Sequence, residues 1–229
     1  MSLRLVIGNK NYSSWSLRAW IAMTAAGIAF EEVFVPLAQP DTKERIKRHS
    51  PAGKVPVLID GESVVWESLA ILDHLAERFP KAGLWPSDPA SRAHARSIAA
   101  EMHAGFAALR NHCPMNLWRP VERRELNPAV EQDVARITQI WRGARGQFGQ
   151  GSSFLFGGFT AADAMFAPVA ARFRTYDIAC DSVSRAYVEA IHELPAFKAW
   201  RDQAFKESLV IAEDEVDWPQ VKKVAEARA

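Results

Sequence analysis

Two strand-like runs separated by one helix constrain how this chain begins its fold. Leu3–Ile7 is apolar, residues 17–26 have the apolar spacing of a helix, and residues 30–35 form a second strand-like run. Strands joined through a helix favour a parallel pair with a right-handed crossover. The start of the chain is therefore predicted to be an α/β unit.

A short helix and a tight hairpin are predicted next. Residues 42–49 have a basic helical pattern, and residues 55–59 form an apolar strand. Asp60-Gly61 is a typical two-residue turn, after which residues 63–66 provide the returning strand. A helix is then predicted to run to about Phe79. These elements predict a mixed four-stranded sheet whose second half is antiparallel.

The remainder of the chain is predicted to be helical. Residues 80–90 are rich in proline and turn residues, so they are interpreted as a linker between residues 1–79 and residues 91–229. No strand pattern is found beyond this linker. Helices are predicted at residues 91–111, at residues 128–148, after a capping box at residues 160–163 and at residues 195–205, with a polar tail at residues 216–229.

The composition argues against several classes of function. The chain has 28 Lys and Arg against 27 Asp and Glu, so no overall basic field attracts nucleic acid or an anionic membrane. No apolar run approaches the roughly 20 residues of a membrane span, and a cytoplasmic protein is expected. Cys113 and Cys180 form no Cys-x-x-Cys pair, and no histidines have His-x-x-x-His spacing. Neither thiol redox chemistry nor a metal site is therefore expected.

Three hydroxyl groups lie where the first strand gives way to the first helix. Ser13, Ser14 and Ser16 fall at this junction, where a helix has unpaired N–H groups and the positive end of its dipole. A serine there can cap the helix or help to hold an anion. For this stretch taken alone, capping is the simpler interpretation.

Two further polar features fall at the same end of the predicted sheet. Glu67 and Ser68 stand at a second helix start, where Glu67 either complements the helix dipole or pairs with a ligand's ammonium group. The simplest interpretation of Pro56 is a trans proline on an edge strand. The alternative is a cis Val55–Pro56 bond, with the Val55 backbone free to pair with a peptide-like ligand. Together with the serines, these groups indicate a ligand site.

Five motifs together resemble the soluble glutathione transferase superfamily over nearly the whole chain. They are Ser13-Ser14-Trp15-Ser16, Lys54-Val55-Pro56-Val57-Leu58, Glu67-Ser68-Leu69-Ala70-Ile71, Leu84-Trp85-Pro86 and the box at residues 160–163. The serine motif, followed by Arg18, is most similar to the zeta class, whose members include maleylacetoacetate isomerases. That class usually has Cys where this chain has Trp15, and Gln where it has Lys54. The resemblance implies a thioredoxin-like N-terminal domain and an all-helical C-terminal domain.

The resemblance also implies how the N-terminal domain contacts glutathione as a cosubstrate. Ser13 would donate a hydrogen bond to the glutathione thiolate, with Ser14 and Ser16 as alternatives. Val55, beside a cis Pro56, would pair its backbone with the cysteinyl part of glutathione.

The two ends of glutathione are assigned by the same resemblance. Lys54 is placed to approach the glycyl carboxylate, while Glu67 and Ser68 would hold the γ-glutamyl end. No metal takes part in this arrangement.

The second substrate would bind to the helical domain. Met115, Trp118 and Arg119 can line a pocket there, although core packing is the simpler interpretation of each residue taken singly. Arg172 sits where zeta-class members carry an arginine that meets a substrate carboxylate, and a surface or interhelical arginine is the equal alternative. The sequence does not identify the second substrate.

The function implied is that of a glutathione transferase whose thiolate attacks an electrophilic small molecule. A glutathione-dependent cis–trans isomerase of the maleylacetoacetate isomerase type is the alternative, and a non-catalytic regulatory protein with this fold is a second one. A thiol reductase is disfavoured because residues 11–18 contain no Cys. A homodimer is implied by the resemblance alone.

Overall fold

The computed structural model describes residues 2–216 and begins with a four-stranded sheet and three helices. These elements are β1 (Leu3–Ile7), α1 (Ser14–Ala25), β2 (Phe30–Phe34), α2 (Thr42–Lys47), β3 (Val57–Asp60), β4 (Ser63–Trp66) and α3 (Ser68–Arg78). The strand order is β2-β1-β3-β4, with β1 parallel to β2 and antiparallel to β3, and β3 antiparallel to β4. The predicted mixed sheet is confirmed.

Helices dominate the rest of the described chain. They are α4 (Pro89–Ala104), α5 (Ala107–His112), α6 (Pro128–Phe148), α7 (Ala161–Thr175), α8 (Ser182–Glu193) and α9 (Pro195–Ala204). No helix formed by residues 2–216 combines the length and apolar character needed to cross a membrane. Residues 217–229, nearly all of the predicted polar tail, lie outside the described residues. The division of the chain into a domain at residues 1–79, a linker at residues 80–90 and a domain at residues 91–229 stays a prediction.

Two element boundaries in the N-terminal part differ from the prediction, and both matter for the site. Helix α1 begins at Ser14 instead of Leu17, because Ser13 serves as its N-cap. Strand β3 begins at Val57 instead of Val55, since Pro56 has no N–H to give to the ladder. The Val55–Pro56 bond is cis, as the resemblance implies and contrary to the simpler interpretation of the proline.

One predicted helix, residues 91–111, is two helices in the structure. Gly105 adopts an extended conformation with φ −98° and ψ −168°, and Phe106 follows with φ +58°. A Cβ at residue 105 would lie 2.8 Å from the Glu101 carbonyl oxygen, so glycine is needed for this close approach. The break separates α4 from α5 and turns α5 toward the start of α1.

Helix α8 was not predicted from the sequence, although its signals are present. Asp181 is the N-cap, and its carboxylate accepts a hydrogen bond from the Ser184 N–H at 3.0 Å. Tyr187, Val188 and Ile191 are buried at helical spacing. The loop before Asp181 contains no proline or glycine, so no turn residue in the sequence marks where this helix begins.

Helix α7 forms the centre of the molecule and joins the two parts of the chain. Every residue of this helix except Arg174 is buried. Its side chains share one hydrophobic cluster with Leu17 and Trp20 of α1 and with Trp141 of α6. The position of α1, and with it the serine motif, is therefore fixed against α7.

The capping box predicted at the start of α7 is confirmed. The buried Asp163 carboxylate accepts hydrogen bonds from the Thr160 N–H at 2.8 Å, the Thr160 hydroxyl at 2.8 Å and the Leu155 N–H at 3.1 Å. This carboxylate thus connects the preceding loop to the first turn of the central helix.

We expect Asp163→Ala to lower the free energy of unfolding by at least about 2 kcal/mol, because it leaves buried donors without an acceptor. Asp88→Ala is the matched control. Asp88 caps the exposed start of α4, where it accepts from the Ser91 N–H at 2.8 Å, so its loss should cost clearly less stability than the loss of Asp163. Denaturant-induced unfolding at neutral pH measures both values, and equal losses would contradict the special role of Asp163.

Candidate functional site

Two adjoining clefts open where α1 and α3 begin. The narrow cleft has a volume of about 200 Å³ and is lined by Trp15, Ala52, Lys54, Val55, Pro56, Trp66, Glu67, Ser68 and His103. The wide cleft has a volume of about 460 Å³ and is lined by Tyr12, Ser13, Ser14, Trp15, Leu37, Thr42, Ile46, Gly53, Lys54, Val55, Arg110, Asn111, Pro114, Met115, Arg172 and Asp214. Since Trp15, Lys54 and Val55 line both, the two clefts form one continuous site.

The three serines of the motif have different environments. Ser13 and Ser14 line the wide cleft, whereas Ser16 is fully buried and lines neither cleft. The Ser16 hydroxyl oxygen accepts hydrogen bonds from the Gly8 N–H at 3.0 Å and from the Ser13 hydroxyl at 2.8 Å. Ser16 therefore ties α1 to the end of β1, while Ser13 and Ser14 face the space where a ligand can bind.

The first turn of α1 offers hydrogen-bond donors to this space. The Trp15 N–H has no partner among the described residues, while the Ser16 N–H is capped by the Ser13 hydroxyl oxygen at 3.4 Å. The positive end of the helix dipole adds to these donors. An anion in the wide cleft beside Ser13 and Ser14 is stabilised by this geometry.

The start of α3 lies at the narrow cleft. Ser68 is the first residue of α3, and its hydroxyl contacts the Met165 sulfur at 3.9 Å. The N–H groups of Ser68, Leu69 and Ala70 have no acceptor among the described residues. A carboxylate or similar anion fits this helix terminus.

Glu67 precedes α3 in a left-handed backbone conformation, with φ +68°. Its half-exposed carboxylate lies 3.4 Å from Nε2 of His103, which comes from α4. The His103 ring also packs edge-on against Trp15, with ring centroids 5.4 Å apart. Sequence reasoning missed His103, because a single histidine inside an amphipathic helix carries no signal of what it faces.

Val55 and Lys54 connect the two clefts. Val55 precedes the ladder of β3, so its backbone is not part of the sheet, and the cis bond to Pro56 follows directly. Lys54 is exposed at the edge of both clefts. The structure thus brings together the five residues predicted to contact the parts of glutathione other than its sulfur, namely Lys54, Val55, Pro56, Glu67 and Ser68.

Two arginines line the wide cleft from the helical part. Arg172 is buried, donating from Nε to the Cys113 carbonyl at 2.8 Å and from Nη1 to the Pro168 carbonyl at 3.0 Å. Burial lowers the pKa of Arg172 to about 10, which leaves it charged at neutral pH. Arg110 lies 5.5 Å from the Trp15 ring centroid, and burial lowers its pKa as well.

Asp214 supplies the only carboxylate among the described residues that line the wide cleft. It belongs to the 3-10 turn Ala212–Asp214. Burial raises the pKa of Asp214 to about 6, Arg172 opposes this shift, and Glu213 and Glu215 add to it. With Lys54, Arg110 and Arg172 facing it, the cleft carries a net positive charge.

The other residues predicted to contact the second substrate divide into two groups. Met115 lines the wide cleft together with Arg172. Trp118 is in the core, where its indole N–H donates to the Ala204 carbonyl at 2.8 Å, and Arg119 lies over the Tyr176 ring at 5.1 Å. Neither of these two lines a cleft. Residues 2–216 contain no cluster of His, Cys, Asp and Glu that could hold a metal.

The fold and this site define the class of protein. The family model for the glutathione S-transferase N-terminal domain matches residues 12–78, and the model for the glutathione S-transferase C-terminal domain matches residues 92–203. The chain belongs to the glutathione S-transferase family.

Named relatives include a glutathione S-transferase and a maleylacetoacetate isomerase. The chain is 28% identical over 206 residues to "Glutathione S-transferase Z2" of Arabidopsis thaliana, which covers 82% of this chain and 88% of that protein. It is 38% identical over 99 residues to "Probable maleylacetoacetate isomerase" of Caenorhabditis elegans. That match covers 43% of this chain and spans only 46% of the relative's length.

A solved structure shares the whole architecture. The glutathione transferase homolog from Burkholderia GL BGR1, a structure with bound glutathione, has a TM-score of 0.66 at 21% identity. The superposition covers 91% of this chain and all of that chain. At 21% identity, this structural similarity shows a shared fold alone.

Proposed function

We propose that this protein is a glutathione transferase, which ionises the thiol of bound glutathione and directs the thiolate at an electrophilic carbon of a small molecule. The single observation that carries the proposal is that the Ser13 and Ser14 hydroxyls face the wide cleft at the positive end of α1. In this proposal residues 1–79 bind glutathione, and residues 91–229 carry the second-substrate site. Residues 80–90 link these two domains.

Ser13 is proposed as the donor to the sulfur. In the structure its hydroxyl donates to Ser16, but a hydroxyl rotates readily, and a thiolate is a stronger acceptor than a neutral oxygen. A hydrogen bond to a charged group is worth about 1.5–3 kcal/mol, and the helix terminus adds about 0.3–1 kcal/mol. Together these lower a thiol pKa near 8.5 by roughly one to three pH units, which leaves much of the thiol ionised at neutral pH.

The rest of glutathione is proposed to lie along the narrow cleft. Its γ-glutamyl carboxylate would accept from the free N–H groups and the Ser68 hydroxyl at the start of α3, and its ammonium group would face Glu67. The Val55 backbone would pair with the cysteinyl residue, and Lys54 would approach the glycyl carboxylate. The spacing of these groups along one cleft supports this orientation.

A second candidate function is the isomerisation of an acidic alkene. Arg110 of α5 and Arg172 of α7 line the wide cleft, and this positive charge favours an anionic second substrate. In such a reaction the thiolate adds to the carbon–carbon double bond, the resulting single bond rotates, and elimination returns the thiolate. Names of relatives such as "Probable maleylacetoacetate isomerase" also favour this candidate.

We also propose that the protein works as a homodimer, which rests on the family resemblance, and that it is cytoplasmic, as expected from its sequence. The competing proposal is a non-catalytic regulatory protein with the same fold. Retention on immobilised glutathione followed by a thiol-conjugation assay separates them. If the wild-type protein is not retained and shows no turnover, the regulatory role is favoured.

We expect Ser13→Ala to lower kcat for thiol conjugation about 10- to 100-fold, because the thiolate loses its charged hydrogen bond. The apparent pKa of the bound thiol should rise by about one to two pH units. The KM for glutathione should change little, since the contacts along the narrow cleft remain. The pH dependence of kcat and the ultraviolet absorbance of the bound thiolate measure these effects.

Ser14→Ala and Ser16→Ala are the controls for this experiment. Ser16→Ala should lower stability, because the Gly8 N–H and the Ser13 hydroxyl lose their acceptor. If Ser13→Ala keeps full turnover while Ser14→Ala loses it, the assignment of Ser13 is wrong.

The charge of Asp214 gives a pH-dependent prediction for an acidic second substrate. Above about pH 6 Asp214 is ionised, so it partly neutralises Arg172 and repels a substrate carboxylate. The ratio of kcat/KM for an acidic electrophile to that for a neutral one should therefore fall as the pH rises through about 6. Taking this ratio cancels the ionisation of the thiol, which both reactions share.

We expect Asp214→Asn to raise this ratio roughly 3- to 10-fold at pH values above the transition and to make it independent of pH. Asp202→Asn, at an exposed carboxylate in α9, is the control and should leave the ratio unchanged. A wild-type ratio that does not vary with pH would rule out a contribution of Asp214 to substrate charge selection.

A further inference from the structure

The segment after α9, residues 205–216, contacts the loop that leads into the serine motif. We call this segment the C-terminal strap. The Glu207 carboxylate accepts hydrogen bonds from the backbone N–H groups of Lys10 at 2.7 Å and Asn11 at 3.1 Å. These residues belong to the serine loop, residues 9–13, which connects β1 to α1. The strap therefore contacts the site from a position almost two hundred residues away in sequence.

A second carboxylate of the strap lies closer to the serines. Glu215 is only 8% exposed, and one of its oxygens accepts hydrogen bonds from the Tyr12 hydroxyl and from Nδ2 of Asn116 at 3.1 Å. Burial, followed by the effect of Glu215, raises the pKa of Tyr12, so the phenol stays protonated and is the donor. Both partners of Glu215 are themselves buried.

Apolar packing and two asparagines complete the attachment. Ile211 of the strap clusters with Tyr12 and Trp118, whose rings meet edge-on at 5.6 Å. Asn11 donates from Nδ2 to Asn116 at 3.1 Å and accepts from the Trp118 N–H at 2.9 Å. The serine loop is thus held from the helical part by a buried polar network that ends on Glu215.

The conformation of this loop determines where Ser13 lies. The Ser13 N–H donates to the Asn9 carbonyl at 2.7 Å, and the Ser14 N–H donates to the Tyr12 carbonyl at 2.8 Å. A displacement of Tyr12 is therefore passed directly to Ser13, the N-cap of α1, and to Ser14, its first residue. A displacement of that kind costs rate, because a hydrogen bond to a thiolate depends on distance and angle.

We propose that Glu215 is a positioning residue for thiolate formation, which it supports by holding the Tyr12 side chain and thereby the serine loop. This inference rests on the proposed transferase function. Glu215 lines neither cleft, so its effect on the sulfur passes through Tyr12.

The test compares Glu215→Ala, Glu215→Gln and Tyr12→Phe. We expect Glu215→Ala and Tyr12→Phe each to lower kcat about tenfold and to raise the apparent pKa of the bound thiol, with the KM for glutathione changed less than about twofold. The double variant should lose little more than either single variant, because both remove the same hydrogen bond. Glu215→Gln should keep most of the rate, since one amide oxygen can accept both hydrogen bonds.

Glu213→Ala is the matched control, because Glu213 is an exposed carboxylate two residues earlier in the strap. It should leave kcat and the pH profile unchanged. A merely structural role for Glu215 predicts a lower melting temperature with a wild-type pH profile in the active fraction. That result, or additive losses in the double variant, would overturn the proposal.

Amide hydrogen exchange at residues 9–16 tests whether Glu215 holds the serine loop, and this measurement does not depend on turnover. Exchange there should increase in Glu215→Ala and stay at the wild-type rate in Glu213→Ala. If the wild-type protein neither binds nor turns over glutathione, the proposed function fails, while the exchange result still tests the hold on the loop. Unchanged exchange together with an active wild-type protein would refute the role of Glu215 alone.

Discussion

The buried guanidinium of Arg18 connects the first turn of α1 to the central helix. It donates from Nε to the Met165 carbonyl at 3.0 Å and from Nη1 to the Ser14 carbonyl at 3.0 Å, and it stacks on Trp15 at 4.2 Å. Its Nη2 has no acceptor among the described residues. Burying a charge without a carboxylate is costly, so an arginine here is better explained by what it positions than by stability. It fixes the turn on which the serines lie.

Arg18 also contributes to the electrostatics of the site. Burial, with Arg172 and Arg110 nearby, lowers the pKa of Arg18, but guanidinium starts from so high a pKa that it keeps its charge. Three arginines thus surround Trp15 and the start of α1. In a partly buried site such charges are screened less than at the surface, so they reinforce the hydroxyl and the helix terminus in favouring a thiolate. The same field favours an acidic second substrate.

The sequence was sufficient for the elements whose signals are local. Hydrophobic periodicity predicted the sheet and most helices, and the motifs at residues 13–16, 54–58 and 67–71 predicted which groups meet at the clefts. What it could not show is which of several equivalent side chains turns toward the ligand. Ser16 faces Gly8, for example, whereas Ser13 lines the wide cleft. His103 and Asp214 reach the clefts from distant elements, and such contacts depend on tertiary packing that no local pattern encodes.

Asp214 and Glu215 are consecutive residues with different surroundings, and this adjacency links two properties of the site. The turn Ala212–Asp214 directs Asp214 into the wide cleft and Glu215 into the network on Tyr12. Because they share a backbone, any movement that withdraws Glu215 from Tyr12 also changes the negative charge facing Arg172. The geometry of the serine loop and the charge of the substrate cleft are therefore coupled through one short turn at the end of the described chain.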